Sequence, residues 1–422
     1  MPSTPPEEAI FRRLTGAAPA DRAEPPNFLR HVAALGLTKT GDGLADVKLV
    51  LSWLMATLGA PGALVGLLVP VREAGSLLPQ MLAAPRIRRL TRRKWIWAGA
   101  AAVQGAALLV MAAAGVTLSG TLAGVAILAA LLVLALARSL ASVSYKDILG
   151  RTVGKGRRGT ATGLASSVAS AAVLVFALLL IAGWVDRFAL VIGALVLAGA
   201  AFLGAAVVFA GLQEEPDAPD DADTSLPAMA AMFGHLRADT QLARFILARG
   251  LLTATALAPP YLVLLASGAA EAALDSLGAM LLASALAALV SGYVWGRLAD
   301  RSSRLVLVFT GIAGAIGMLL AVTLGAAGLE WGLPGALFAL MVAHQGVRVG
   351  RSTHLVDMAP EDRRPAYTAL SNTIIGLALL GAGVFGALAS LAGPGVTLAV
   401  FAAMALAGAG VAWGLDETGG QT

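Results

Sequence analysis

The sequence predicts an all-α polytopic membrane protein with twelve transmembrane helices in two pseudo-symmetric halves of six. Three observations carry this. Hydrophobic residues make up 58% of the 422 and charged residues only 13%, with a mean hydropathy of +0.81, a balance that makes water a poor solvent for most of the surface. Twelve windows approach the roughly 20 apolar residues that a helix needs to cross the hydrocarbon core. Basic turns alternate between those windows with turns that carry no charge, except those around Asp186-Arg187, Glu271 to Asp275 and Glu330, as expected when basic loops resist translocation.

In chain order, residues 1–27 are rich in Pro and charge and lack the continuous apolar core of a cleavable signal peptide. They read as a flexible cytoplasmic tail with a short amphipathic piece at Ala9 to Leu14. Spans near 30–56, 62–84, 95–117, 120–145, 160–184 and 188–212 make up a first half, 28–212. An acidic, Pro-rich cytoplasmic linker, 213–239, follows, with a surface helix expected over Ser225 to Asp239. Spans near 240–267, 274–296, 304–328, 333–357, 365–391 and 395–415 make up the second half, 240–415, and 416–422 forms a short tail. No stretch alternates with period two as a barrel strand would, so the spans are helices. Arg86 to Lys94, Lys146 to Arg158, Arg297 to Arg304 and Arg363-Arg364 are the basic turns; Gly59 to Gly62, Leu118 to Thr121 and Ala392 to Gly395 carry no charge. An even number of passes places both termini on the basic side, hence in the cytoplasm of a multi-pass inner (cytoplasmic) membrane protein.

Composition also excludes several functions. With no cysteine there is no disulfide, thiolate metal site or cysteine nucleophile. His31, His235, His344 and His354 show no metal-ligand spacing, and no Ser/His/Asp set lies at a common depth, so neither metal, cofactor nor enzymatic activity is expected. The basic surplus lies in short juxtamembrane turns, which points to anionic headgroups of the lipid bilayer rather than nucleic acid.

The halves repeat one another. Arg157 to Ser166 can be laid over Arg363 to Asn372, and Arg138 precedes Asp147 by the same interval that separates Arg348 from Asp357. Between spans eight and nine, Gly296-Arg297-Leu298-Ala299-Asp300-Arg301-Ser302-Ser303-Arg304 resembles the cytoplasmic Gly-x-x-x-Asp-Arg-x-Gly-Arg motif of the major facilitator superfamily, with Ser303 in place of the second Gly. Arg138 resembles that family's fourth-span arginine. The first-half turn departs from the motif, with Pro85 and Arg89 where Gly and Asp are expected. The resemblance covers residues 30 to 415. It implies a monomeric transporter with a central cavity lined by spans one, four, seven and ten, and an inner gate in which Gly296, Asp300, Arg301 and Arg304 take part.

Ionisable groups inside a bilayer are costly, at about 2.5–3.5 kcal/mol each on insertion scales, and mark functional sites. Lys39, Asp42, Asp46 and Trp53 recur along one face of a continuous first helix, with Lys48 off that stripe; Arg72 and Glu73 lie near mid-depth in span two. Asp42, Asp46 and Glu73 are candidate proton carriers, and the alternative is permanent pairing of Asp42 or Asp46 with Lys39 or Arg72. On span ten, His344, Arg348, Arg351 and His354 form another stripe, in which Arg351 is expected to snorkel or to pair with Asp357. Arg249 and Thr253 precede the Pro259-Pro260 break of span seven. Candidate cavity residues are therefore Lys39, Trp53, Arg72, Arg138, Arg249, Thr253, His344 and Arg348. The function expected is proton-coupled secondary transport of a small solute by alternating access. Arg249, His344 and Arg348 favour an anionic or zwitterionic solute. Two alternatives are a non-cycling scaffold that binds pigment, lipid or a partner protein, and a drug efflux pump; the fifth span, Gly163 to Gly183, has no proline and so lacks the Gly-Pro signature of drug antiporters.

Overall fold

A computed structural model describes residues 6–16, 18–154, 157–216, 239–266, 272–299, 301–360 and 364–417. Every regular element among them is helical. A short helix α1 (Pro6–Thr15) precedes the first pass, which is split into α2 (Glu24–Leu44) and α3 (Val50–Thr57). Passes two to six are α4 (Gly62–Arg88), α5 (Lys94–Thr117), α6 (Gly120–Thr152), α7 (Arg158–Ala182) and α8 (Arg187–Ala210). The seventh is broken into α9 (Thr240–Leu252), α10 (Ala254–Leu257) and α11 (Pro259–Ala266). The remaining passes are α12 (Ala272–Ala299), α13 (Ser303–Ala326), α14 (Leu333–Met358), the pair α15 (Arg364–Gly381) and α16 (Gly383–Ala392), and α17 (Pro394–Trp413).

Nine described segments, passes two to seven, nine, eleven and twelve, are long and apolar enough to span a membrane. Passes one and ten fall short because charges interrupt them, and pass eight has a shorter apolar stretch, Leu277–Ser291. Side chains that would meet lipid stay exposed, among them Val207, Leu289 and Leu391. Exposed tryptophans mark two levels: Trp184 and Trp331 in turns on the same side as the uncharged ones, Trp95 and Trp413 on the basic side. That is where amphipathic rings settle in a bilayer.

The breaks have local causes. At Asp46, Oδ1 accepts from the backbone N–H groups of Lys48 (3.0 Å) and Leu49 (2.8 Å), so its carboxylate closes the turn between the end of α2 at Leu44 and the start of α3 at Val50. The stripe expected on one continuous helix therefore divides, and Lys48 turns toward the second half. In pass seven, Pro259 and Pro260 remove two backbone donors, and the helix is already interrupted at Thr253, six residues upstream.

The halves meet where α4 lies against α15 and α16, and where α7 lies against α12, two contacts that a pseudo-twofold axis would exchange. The closest approach is near the uncharged turns. A Cβ on Gly66 would come within 2.7 Å of Gly386 Cα and 2.5 Å of the Tyr261 hydroxyl, and one on Gly386 within 2.6 Å of the Ala63 carbonyl. Only glycine allows the backbones to cross so closely.

On the basic face the described residues 6–16 and 18–27 pack against the bundle. Phe11, fully buried, meets Phe28 edge to face at 5.2 Å and packs with Val153 and Ala161. Burying one phenylalanine stabilises such docking by about 1.5–3 kcal/mol. Glu24, 2% exposed, accepts from the backbone N–H groups of Ala20 (2.7 Å) and Gly154 (2.9 Å) and from Arg157. Asn27 exchanges two amide hydrogen bonds with Gln213 at the start of the linker. Glu214 then caps α5 by accepting from the Arg93 and Lys94 N–H groups. The surface helix expected at Ser225 to Asp239 lies outside the described residues except Asp239, whose carboxylate caps α9.

Candidate functional site

A cavity of about 580 Å³ lies between the halves. Its first-half wall comes from the α2–α3 break (Asp42, Asp46, Lys48), α4 (Arg72, Glu73, Ser76) and α6 (Arg138, Ser142). The second half contributes Ala256 of α10, Ser284 of α12, and His344, Gln345, Arg348 and Arg351 of α14. Toward the uncharged turns the lining residues Leu51, Val69, Leu108 and Leu131 are buried, whereas Ser142 and Arg348, toward the basic turns, are exposed. The cavity is thus closed on one side and open on the basic side.

Asp42 anchors the first-half wall. Both its oxygens accept from Arg138 Nη1 (2.5 and 2.6 Å), and Arg72 approaches at 3.3 Å. The fourth-span arginine is thereby paired with the first span, a partner the sequence reading did not assign. Asp46 also lines the cavity but uses Oδ1 to hold the Lys48 and Leu49 N–H groups of the turn before α3. Neither acid is without a partner.

A polar bridge joins the halves. Lys48 Nζ lies 2.7 Å from His344 Nε2, and His344 Nδ1 lies 3.3 Å from Thr255 Oγ1. Thr255 donates its own proton to the Leu252 carbonyl at 2.9 Å. The network therefore assigns Nδ1–H as donor to Thr255 and leaves the Nε2 lone pair for the Lys48 ammonium. In the sequence Lys48 falls off the charged stripe; the Gly41-Asp42-Gly43 stretch and the turn-forming Asp46 are the signals that the helix breaks there.

Three charged groups of the cavity lack a counterpart. Glu73 has no hydrogen bond or ion pair with any described residue, although the charges of Arg72, Lys48, Arg351 and Arg138 all act on it. Arg351 has none either among the described residues, so the expected pair with Asp357 does not form. Arg348 reaches only the neutral Gln345, at 3.4 Å. Five lining cations (Lys48, Arg72, Arg138, Arg348, Arg351) face three lining carboxylates (Asp42, Asp46, Glu73), a surplus of two positive charges.

Four expected cavity residues lie elsewhere. Lys39 donates to Ser166 of α7 (2.9 Å), because the face it shares is directed at that helix. Arg249, 6% exposed, donates to Ser371 (2.6 Å) and Asn372 (2.9 Å) of α15. In the repeat alignment Ser166 and Asn372 occupy equivalent positions, so each half ties a cation of its first helix to a polar side chain of its fifth. Trp53 is buried beyond the break and does not line the cavity. Thr253 caps its own broken turn through the Gly250 carbonyl. Of the gate motif, Asp300 lies outside the described residues, Arg301 is exposed, and nothing packs where a Cβ on Gly296 would stand. Arg304 pairs with Glu417 (3.2 Å) of the carboxy-terminal tail that follows the same half. The first half has a counterpart in Arg93, which is paired with Asp147, while Arg151 lies 3.7 Å from both Asp147 and Glu214.

No family model and no curated protein matches the chain. Solved structures do. The crystal structure of the nucleoside transporter NupG superposes with a TM-score of 0.69 at 14% identity, over 92% of this chain and 98% of that one. The D-xylose-proton symporter gives 0.69 and 14%, over 94% and 99%. With its two six-helix halves about a central cavity, the chain has the fold of the major facilitator superfamily.

Proposed function

We propose that this protein is a secondary active transporter that moves a small polar solute together with protons by rocking its two halves, as a monomer with both termini in the cytoplasm. The observation that carries the reading is the cavity itself, sealed at the Gly66–Gly386 crossing, open on the basic side, and holding in Glu73 an acid with no direct partner. A carboxylate so placed exchanges a proton without first breaking a salt bridge, whereas Asp42 and Asp46 would each have to release theirs. The structural neighbours include a proton symporter, which supports the same reading. A non-cycling scaffold would bear the insertion cost of so many mid-membrane charges with no return.

The test is uptake by purified protein in liposomes. Glu73→Gln is expected to abolish accumulation driven by a pH gradient while retaining solute exchange between the two sides. Wild-type accumulation in that variant would remove Glu73 as the coupling group.

A further inference from the structure

We propose that the solute is a compact organic monoanion, held by Arg348 and Arg351 and moved with one proton on Glu73 as an electroneutral pair. This rests on the transport reading above and specifies its substrate and stoichiometry. Arg348 and Arg351 stand one turn apart on α14, so both guanidinium groups reach the same part of the cavity. Among the described residues no carboxylate lies within ion-pair distance of either. The other cations are engaged: Arg72 and Arg138 at Asp42, and Lys48 at His344. Guanidinium groups left free in a low-dielectric cavity attract an anion, and their planar forks match a carboxylate.

Charge balance sets the number of protons. With its three lining acids ionised the empty cavity carries a surplus of two positive charges. Protonating Glu73 raises the surplus by one, and binding one monoanion restores it. The loaded and empty carriers then present the same charge to the low-dielectric interior as the halves rock. Glu73 ionised would compete with the solute for Arg351 and would in addition act on Lys48 and Arg249, so its protonation releases the site. Arg72 of its own helix and Arg138 of α6 are the remaining charges facing it. The wall also speaks to the size and type of solute. Phe202 is the only phenyl, phenol or indole ring among the described lining residues, which leaves little surface for stacking a nucleobase or sugar ring.

The experiment measures thermal stability of the purified full chain with lactate, gluconate, alanine, uridine, xylose or choline, followed by uptake and counterflow in liposomes. Lactate or gluconate is expected to raise the melting temperature, with its half-saturating concentration rising about tenfold per pH unit once Glu73 deprotonates. In Glu73→Gln that pH dependence should vanish while binding persists. Arg348→Gln and Arg351→Gln should each weaken anion binding on the order of 10- to 100-fold, and the lysine substitutions, which keep the charge, should recover part of it. Uptake should follow the pH gradient and ignore a potassium–valinomycin potential. Preference for alanine with binding lost in Glu73→Gln, preference for uridine, xylose or choline, or uptake driven by the potential would each overturn the monoanion assignment and leave transport standing. Absence of counterflow for all six solutes would instead refute the transport reading.

Discussion

Asp42 keeps a carboxylate inside an apolar bundle by drawing on two guanidinium groups, one of which binds both its oxygens. Removing its charge strands Arg138 and Arg72. Breaking a fully buried pair costs on the order of 3 kcal/mol or more, and the cost here is smaller because Asp42 is 27% and Arg138 35% exposed. Asp42→Asn is therefore expected to lower the melting temperature in detergent, whereas Glu73→Gln, which removes a charge attracted by surrounding cations but without a direct hydrogen bond or ion pair to any described residue, should lower it less. Equal destabilisation by both would mean that Glu73 is also a structural ion. Sequence alone picked out both acids, because any mid-membrane charge is conspicuous. It offered Arg72 as a partner of Asp42 or Asp46, and the Arg72–Asp42 contact is present at 3.3 Å, but it did not find the closer partner Arg138, 96 residues away. The same limit hid the bridge between Lys48 and His344, and it left Arg249 in the cavity when Ser371 and Asn372 in fact hold it.

At the scale of elements, helix positions were legible and helix interruptions were not. Hydropathy locates the spans because a window of about 20 apolar residues has few other uses. The break of the first pass depends on one carboxylate choosing backbone N–H groups over a solvent-facing rotamer, and it changes which residues share a face. The amino-terminal segment was half legible: the amphipathic pattern predicts α1, but its docking depends on Glu24. Burial alone would raise the pKa of this carboxyl, but the N–H groups of Ala20 and Gly154 and the Arg157 guanidinium together hold it below its usual 4.5. A group with a depressed folded pKa contributes its stability above the unfolded value and loses it as pH falls through the folded one. Docking of residues 6–27 should accordingly be intact at neutral pH, begin to loosen below about pH 4.5, and be lost in Glu24→Gln even at pH 7. Hydrogen exchange of the amides around Phe11 reports this, and protection that persists in Glu24→Gln at pH 7 would mean that the aromatic contact alone suffices.

For the whole molecule, the decisive feature is where the halves touch. Their backbones cross at Gly66 and Gly386 beside the uncharged turns, and the cavity opens toward the basic ones, so under the proposed transport function this structure would be one end of the cycle. If that crossing is the outer seal, a side chain there should hold it open, because the atoms opposing it are backbone atoms of the other half and cannot rotate aside. Gly386→Leu should therefore shift the population toward the state open on the uncharged side without disturbing either half's own core. The absence of cysteine makes the readout clean. A cysteine placed at Val69, which is buried in the cavity wall just inside the seal, should be protected from an impermeant thiol reagent applied at the uncharged face. In the Gly386→Leu background it should become reactive, and transport should fall with it. Equal protection of the cysteine in both backgrounds, with the protein folded and transport unimpaired, would show that the glycine crossing is a packing contact and that the seal lies elsewhere.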